Sequence, residues 1–239
     1  MNKYIINLLP ALALVVGLSA CGDESFTNSK VTPIVLMDMA GDATIEVALG
    51  ATYQDPGCTA TYMGKDYTAK MEVDGLDAVN TNAPGLYPIN YSCTTPDGYT
   101  YEAQRVVAVC NPKVKYKAAG TFFTAAGTKR VDANGVEQTY AKSVVNVTQL
   151  ASGLVKVDDL LGGYYQAMKA TGQPTADAVT IQALLLMAED GTFQPYSVKA
   201  NGAPVQLDAF SNATFNAKKG VFTWTVTYKG DTYNIVLNR

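Results

Sequence analysis

Hydrophobic and polar residues alternate along short segments of this chain, and turn residues separate the segments. In the first half the predicted strands are 45–49, 58–62, 86–94 and 101–109. Tyr87, Ile89, Tyr91 and Cys93 fall on one face of the third strand, as the two-residue period of a strand requires. Asp-Pro-Gly, Ala-Pro-Gly and Pro-Asp-Gly triplets separate the strands. Short strands joined by such turns predict a β-sandwich over residues 32–110.

The second half keeps the β pattern with a different spacing. The predicted strands there are 116–124, 139–150, 154–157, 179–187, 192–199, 221–228 and 232–237. Phe222, Trp224, Val226 and Tyr228 share one face of a strand in the last hairpin, which indicates a stripe that faces the core. Residues 181–188 could form a helix by propensity, but their alternation favours a strand. The pattern predicts a second antiparallel β-domain over residues 111–239, either a barrel or a sandwich, and so an all-β protein.

The first 21 residues have the features of an export signal. Lys3 is followed by an apolar stretch over 5–16, too short to span a bilayer comfortably, and then by Leu18-Ser19-Ala20-Cys21. This ending resembles the lipobox of bacterial lipoproteins, a family in which the cysteine thiol is acylated and becomes the first residue after cleavage. The resemblance implies a signal peptide over 1–20 and a lipid on Cys21. The alternative is an ordinary secretory signal with an incidental cysteine.

The residues that follow Cys21 are polar and predict a flexible tether over 21–31. Asp23 and Glu24 resemble the acidic signal that directs lipoproteins of gut anaerobes to the outer face of the outer membrane. The implied location is the outer membrane, lipid-anchored and facing the cell exterior. The implied first partner is the membrane, through the N-terminal lipid.

Composition excludes several classes of function. The net charge is −3 and the pI is near 5.0, so the chain lacks the basic surface that nucleic acid requires. With no histidine, Ser-His-Asp and Cys-His machinery is excluded. No nucleotide-binding motif occurs, and no cofactor or metal site is expected. A carboxylate pair for glycoside hydrolysis remains formally open, but the candidates lie in turn-like sequence and are expected to be solvated: Asp158, Asp159, Asp177, Glu189, Asp190 and Asp208.

Three segments carry a resemblance to a known domain family. They are 50–57, which contains Asp55-Pro56-Gly57, 84–91, which contains Tyr87 and Tyr91, and 97–109, which ends in Arg105-Val106-Val107-Ala108-Val109. Together they resemble the Ig-like domain of bacterial surface proteins, over about 80 residues. The resemblance implies architecture and no activity. Cys110 stands where the family often has an acidic residue.

The C-terminal half resembles, less specifically, the C-terminal β-domains of surface lipoproteins encoded beside glycan-uptake transporters in gut anaerobes. The resemblance lies in residues 155–165 and in the terminal hairpin, which contains Phe222-Thr223-Trp224. It implies a context of carbohydrate capture.

Three cysteines remain once Cys21 is assigned to lipid. Cys58 and Cys93 lie in predicted strands of an exported domain, where disulfides can form. By analogy with the bridge between the sheets of Ig domains, their pairing is the preferred prediction, although sequence alone leaves the connectivity open. Cys110 is then left over, as a small buried apolar residue.

The best candidate for a ligand site is the segment that contains Asp158, Asp159, Tyr164 and Tyr165. Sugars bind through aromatic rings that stack on their C–H faces and through polar groups that bond to hydroxyls, and this segment offers both. The structural alternative places the two tyrosines on opposite faces of a strand, with Gly162-Gly163 as a bend. Binding of Ca²⁺ by the aspartates is a further alternative, without the spacing of a known loop.

These observations predict a non-catalytic surface lipoprotein that binds glycan or assists a glycan-uptake system. Its partners would be a polysaccharide or an outer-membrane transporter complex. One alternative is a structural or adhesive surface protein in which the Ig-like domain is a spacer. The other is a hydrolase with a carboxylate pair.

Overall fold

The computed structural model describes residues 32–173 and 178–239. The predicted signal peptide, Cys21 and the tether therefore lie outside the described residues. Within these ranges no helix has the length and apolar character needed to cross a membrane. The N-terminal domain has seven strands: β1 (Val35–Met39), β2 (Thr44–Ala48), β3 (Cys58–Tyr62), β4 (Lys65–Asp66), β5 (Met71–Asp74), β6 (Gly85–Thr94) and β7 (Thr100–Cys110).

These seven strands form the two sheets of a sandwich. One sheet has the order β1-β3-β4, and the other has the order β2-β7-β6-β5, in which β2 runs parallel to β7. Alternate residues of the strands meet in the space between the sheets, where Ile89, Tyr91 and Val107 are fully buried. The predicted sandwich and the predicted inward face of β6 are confirmed.

The C-terminal domain is a long meander with one short helix. Its elements are β8 (Gly120–Thr124), β9 (Lys129–Val131), β10 (Glu137–Thr139), β11 (Val144–Ala151), β12 (Leu154–Val157), α1 (Tyr164–Ala170), β13 (Ile181–Met187), β14 (Phe193–Ala200), β15 (Ala203–Pro204), β16 (Ala209–Asn216), β17 (Val221–Tyr228) and β18 (Asp231–Asn238). All strand pairs are antiparallel, in the order β8-β11-β12-β13-β14 on one side of β8 and β18-β17-β16 on the other. The hairpin β9–β10 branches from β18.

The meander curls until its two ends meet. A single bridge joins Thr192 to Thr214, and the Phe215 N–H donates to the carbonyl of Gly191 at 2.8 Å. A side chain at Gly191 would lie 2.4 Å from the Phe215 carbonyl oxygen, so this close approach requires glycine. The strands of this domain thus belong to one antiparallel sheet, and a single bridge joins its ends, which confirms the predicted second antiparallel β-domain.

The interior of this domain is filled with large apolar side chains. Trp224 and Phe222 of β17 are fully buried and pack edge-on to Phe193. The indole N–H of Trp224 donates to the Leu160 carbonyl at 2.8 Å. Since buried polar groups need partners, this bond fixes the chain after β12 against the core.

Several elements differ from the sequence prediction. Residues 181–187 form a strand, as predicted, but residues 164–170 form a helix that was not predicted. The predicted strand 116–124 is shorter, beginning at Gly120. β9, β10, β15 and β16 were also missed. In β16 the pairing shifts between Ser211 and Thr214, and Asn212 has a φ of 54°, so the alternation is broken and leaves no periodic signal.

The two domains belong to one compact unit over Ile34–Arg239. Buried Ala108 and Cys110 at the end of β7 pack with Leu154 of β12. The Asn111 side-chain N–H donates to the Met187 carbonyl at 3.1 Å. The joint between the domains is therefore packed and hydrogen-bonded.

Candidate functional site

The segment between β12 and α1 is organised around one buried carboxylate. Asp159 is 7% exposed, and its oxygens accept backbone N–H bonds from Leu161 at 3.0 Å, Gly163 at 3.0 Å and Ile181 at 3.2 Å. The side chain therefore ties the loop after β12 to the start of β13. The prediction that Asp159 is a solvated turn residue is wrong, because three backbone N–H groups bind its carboxylate in the core.

The environment of Asp159 changes its acidity. Burial raises the pKa of this carboxyl from 3.8 to about 6, and the charge of Asp158 acts in the same direction. The three N–H donors act to lower the pKa and do not overcome burial. A carboxyl in this state is a structural anchor that is sensitive to pH.

Two glycines let the loop pass close to its neighbours. Gly162 and Gly163 both have positive φ, at 64° and 69°. A side-chain carbon at Gly162 would lie 2.9 Å from Ile235, and one at Gly163 would lie 2.7 Å from the Cβ of Ser143. The predicted bend is present, and it brings the start of α1 against the residue just before β11.

The predicted ligand-binding tyrosines have different environments. Tyr164 is 6% exposed, and its hydroxyl donates to Gln138 Oε1 at 2.7 Å and accepts from Arg130 at 3.2 Å. Tyr165 is half-buried and packs edge-on to Tyr164. Both lie on α1 and not on a strand. Tyr164 lacks the exposed ring face that sugar stacking requires.

Most of the predicted acidic residues accept hydrogen bonds from neighbouring protein groups. Asp158 accepts from the backbone and side-chain nitrogens of Asn146, both at 2.8 Å. Asp190 accepts from Thr192, and Asp208 accepts from the Gly230 N–H at 3.0 Å.

Among the other acidic candidates, Glu189 is exposed. Asp177 lies outside the described residues. Within the ranges that the structure covers, no group of three or more Cys, Asp or Glu residues could hold a metal ion.

The helix α1, which follows this loop, forms one wall of a surface groove. The groove has a volume of about 400 Å³ and runs between α1 and the connection from β10 to β11. Its floor is largely apolar and includes Met168. Polar groups stand around this floor: Thr139, Lys142, Ser143, Gln166 and Thr171. A concave site of this size with a mixed lining is typical of sites that bind small molecules.

Ser143 is the unusual member of this lining. It is 4% exposed, and among the described residues its Oγ is the one buried side-chain oxygen or nitrogen without a hydrogen-bond partner. Its backbone is fully used, since its N–H donates to Thr124 Oγ1 and its carbonyl accepts from the Thr124 N–H. A buried hydroxyl without a partner costs about 1 to 3 kcal/mol, and a ligand would recover this only after the Ser143 side chain turned its buried Oγ toward the groove.

The sequence offered little to identify these groove residues. Ser143 and Gln166 stand in no motif, and both lie close to Gly163, where an added Cβ would be 2.7 Å from Ser143 Cβ and 3.3 Å from Gln166 Oε1. Lys142 has a φ of 64°, which is uncommon for a residue with a long side chain and is visible only in the backbone. None of the predicted site residues Asp158, Asp159, Tyr164 and Tyr165 lines this groove.

The cysteines differ from the sequence prediction. Cys58, Cys93 and Cys110 are all free and buried in the structure, so the predicted bridge between Cys58 and Cys93 is not formed there. Cys58 packs in the cluster around Ile89, whereas Cys93 packs in a separate cluster around Val35. The two clusters share Met37 and Met71, so both thiols lie in the apolar space between the sheets. The position of Cys110, buried in the joint, agrees with the sequence prediction.

Two family models divide the described chain between them. Residues 37–109 match the Ig-like domain of bacterial surface proteins, which confirms the Ig-like assignment of the sandwich. Residues 111–239 match a family model for a C-terminal domain, over more than half of the chain. The chain belongs to this family. No curated protein matches it.

Solved structures with a similar course of the chain include a lipoprotein and two carbohydrate-related assemblies. The lipoprotein BT2262 from Bacteroides thetaiotaomicron is 24% identical, with 86% of this chain and 100% of that chain covered and a TM-score of 0.45. The M60 catalytic domain with CBM51-1 and CBM51-2 of Clostridium perfringens ZmpB is 12% identical, with 86% and 21% covered and a TM-score of 0.27. CBM51-2 with GlcNAc and INT domains of the same protein is 14% identical, with 87% and 44% covered and a TM-score of 0.26. These similarities are too distant to transfer a ligand.

Proposed function

We propose that this protein is a non-catalytic surface lipoprotein, anchored through Cys21, that binds a glycan in the groove beside α1. The observation that carries the proposal is the buried Ser143 hydroxyl without a partner, at the edge of an apolar floor. A sugar offers both matching parts, since its hydroxyls can bond to Ser143 and Gln166 and its C–H face can cover Met168. In this function the C-terminal domain binds and the Ig-like domain adds distance from the membrane.

The chemistry of the lining supports binding without catalysis. No acidic residue lines the described part of the groove, whereas glycoside hydrolysis needs two carboxyl groups that flank the bond to be cleaved. The oxygens of the buried Asp159 carboxylate already accept hydrogen bonds from three backbone N–H groups. Delivery of the bound glycan to an outer-membrane transporter is the role that we assign to the anchored protein.

The binding experiment uses a glycan array on the mature protein, followed by titration of the sugars that bind. Ser143→Ala is the informative variant. Because it removes an unsatisfied hydroxyl, it should leave the melting temperature unchanged or raise it, while affinity falls about tenfold through the loss of one bond. Ser197→Ala, at an exposed serine on β14, is the matched control and should change neither quantity. Equal affinity of the Ser143 and Ser197 variants would overturn the site.

The lipid anchor is tested separately. Cys21→Ala should release the protein from the membrane fraction, because acyl chains on the N-terminus supply the durable attachment that we propose. Retention of this variant in the membrane fraction to the same extent as wild type would overturn the anchor.

A second candidate function is that of a structural or adhesive surface protein with the Ig-like domain as a spacer. The packed joint favours it, since Glu46 of β2 accepts the Ser152 N–H at 2.8 Å and Asn111 reaches Met187. A stiff joint suits a spacer whether or not the outer domain binds sugar. A glycan array without any bound sugar, combined with adhesion of intact cells, would favour this second function.

A further inference from the structure

Three strongly exposed apolar side chains lie together at one end of the Ig-like domain. Ile34 is 56% exposed, Leu36 is 60% exposed and Met63 is 68% exposed. Scattered apolar residues are normal on protein surfaces, but a group of them rimmed by polar residues marks an interaction site. We call Ile34, Leu36 and Met63 the tip patch.

The pairing of β1 with β3 places these residues on one face. Val35 pairs with Tyr62 and Leu36 pairs with Thr61, so one further step in the same register sets Ile34 opposite Met63. Val35 is buried between the sheets, and alternation therefore turns Ile34 and Leu36 to the outside. Asp38 follows on the same outer face, away from the tip.

The backbone at Met63 carries a second signal. Met63 and Gly64 form the two-residue turn between β3 and β4, and their φ values are 53° and 73°. Turns of this kind favour Asn-Gly, because the left-handed conformation is unfavourable for a bulky side chain. The hairpin therefore displays methionine at a position where asparagine would be less strained, and such strain commonly accompanies function.

We propose that the tip patch contacts the lipid surface to which the protein is anchored. This inference rests on the lipid anchor of the proposed function. Twelve residues lie between Cys21 and Ile34, and a chain of that length spans at most about 45 Å between the two. Ile34 and Leu36 thus lie near the end of the described body that is closest to the anchor along the chain, and the β1–β3 pairing places Met63 beside them. The tether keeps all three at a high effective concentration near the membrane.

The size of the patch favours a membrane over a second protein copy. Stable protein interfaces use about 20 residues on each side, whereas the tip patch has three. A few apolar side chains suffice for interfacial contact when a covalent anchor already holds the protein. Asp38 stays in water if only the tip enters the interface.

The test measures contact of the tip patch with a bilayer in protein that carries no acyl chain. Residues 22–239 carry an N-terminal polyhistidine tag and are tethered to phosphatidylcholine vesicles through a nickel-chelating lipid, so acylation of Cys21 is not required. Met63→Trp and Leu36→Trp place an indole in the patch, and brominated acyl chains quench an indole that enters the bilayer. The matched control is Val136→Trp, at a 61% exposed residue of the C-terminal domain. The native Trp224 is buried and contributes the same background throughout.

We expect at least threefold stronger quenching in the two patch variants than in the Val136 variant. Equal quenching at all three positions, or none at Met63 and Leu36, would overturn the proposal. If the indole fluorescence of the patch variants changed with protein concentration but not with bromination of the lipid, the patch would bind a second copy of the protein. That result would also overturn the membrane proposal. Met63→Asn should raise the melting temperature while it weakens retention of the tagged protein on vesicles after nickel removal.

Discussion

The guanidinium of Arg105 is fully buried and forms an ion pair with the carboxylate of Asp55, 50 residues away in the sequence. Asp55 also accepts hydroxyl donors from Tyr91 at 2.7 Å and Tyr53 at 2.8 Å. Burial alone would raise the pKa of Asp55, but these hydroxyls and the guanidinium outweigh it and lower the pKa. The turn predicted at Asp-Pro-Gly therefore supplies the counter-ion of a core arginine.

The remaining donors of Arg105 satisfy backbone carbonyls. Its side chain donates to Ala40 at 2.5 Å, to Asp42 at 3.2 Å and to Gly57 at 3.3 Å. The Arg105 side chain thus joins β7 to the connection between β1 and β2 and to the residue just before β3. Loss of its counter-ion would leave a buried charge with only neutral partners.

Asp55→Asn should lower the free energy of unfolding by about 3 kcal/mol or more, because it leaves the Arg105 charge uncompensated in the core. Chemical denaturation measures this change. The matched control is Glu137→Gln, which removes an exposed partner of Lys129 and should change stability by about half a kcal/mol or less. A similar decrease in the free energy of unfolding in both variants would show that the buried Asp55–Arg105 pair stabilises the protein no more than an exposed pair does.

Stability should rise as the pH falls through about 6, because of Asp159. Its folded pKa lies near 6 and its ordinary value is 3.8, so the folded protein binds the proton more tightly than the unfolded chain. The gain is about 2 to 3 kcal/mol once the pH is near the ordinary value. Denaturation at a series of pH values measures it.

Asp159→Asn is the control for the predicted rise in stability as the pH falls through about 6. It cannot titrate, so the rise in stability through pH about 6 should disappear. At lower pH the profile should turn downward, since Asp55 has a lowered pKa and its stabilising charge is lost as the pH falls through that folded value. A rise that persists unchanged in Asp159→Asn would refute the assignment.

Gly163→Ala should destabilise the protein more than Gly172→Ala. Both glycines have positive φ, at 69° and 74°, so both variants share a backbone penalty of about 1 kcal/mol. Only at Gly163 would the new carbon meet a neighbour, the Cβ of Ser143 at 2.7 Å, whereas Gly172 has open space. We expect a further loss of about 1 to 3 kcal/mol at Gly163.

Thermal denaturation of the two glycine variants side by side isolates this packing contribution. Gly163→Ala should also weaken glycan binding, because it displaces one wall of the groove. Equal melting temperatures would mean that α1 can move away from Ser143 without loss.

The three described cysteines should resist modification in the folded protein. Burial raises the pKa of Cys110 to about 12, and it also raises the pKa of Cys58 and Cys93. The reactive form of a cysteine is the thiolate, so both access and ionisation are unfavourable. Alkylation followed by mass spectrometry should label these thiols only after unfolding.

Non-reducing peptide mapping of the exported protein provides the complementary measurement. Free Cys58 and Cys93 are expected, because both are free and buried in the structure. Recovery of a Cys58–Cys93 disulfide peptide from protein that was never unfolded would contradict this structure.

Local pattern was sufficient for much of the fold. The alternation in β6 and β17 and the turn triplets placed those strands correctly, because a strand with one buried face must repeat every two residues. The glycine pair at 162–163 was recognised as a bend from composition alone. The Ig-like assignment came from short motifs whose residue types are set by backbone geometry at turns.

The candidate site was only partly predictable. The sequence pointed to the segment 158–165 but assigned ligand binding to Tyr164, which the structure buries against Arg130 and Gln138. Residues 164–170 became a helix because Asp159 and the glycine pair fix the loop before it. Tertiary context overrode a local pattern too short to distinguish strand from helix.

The sequence by itself determined the strands that alternate regularly, many of the turns and the absence of histidine chemistry, since each depends on residue types at short spacing. Only the tertiary structure decided that Asp55 neutralises Arg105 and that Ser143 lacks a partner beside a groove. Such relations join residues that are distant along the chain, and they depend on which faces are buried against each other. Burial sets the charge state of Asp159 and the exposure of Met63 in the same way, and burial is a property of the folded chain as a whole.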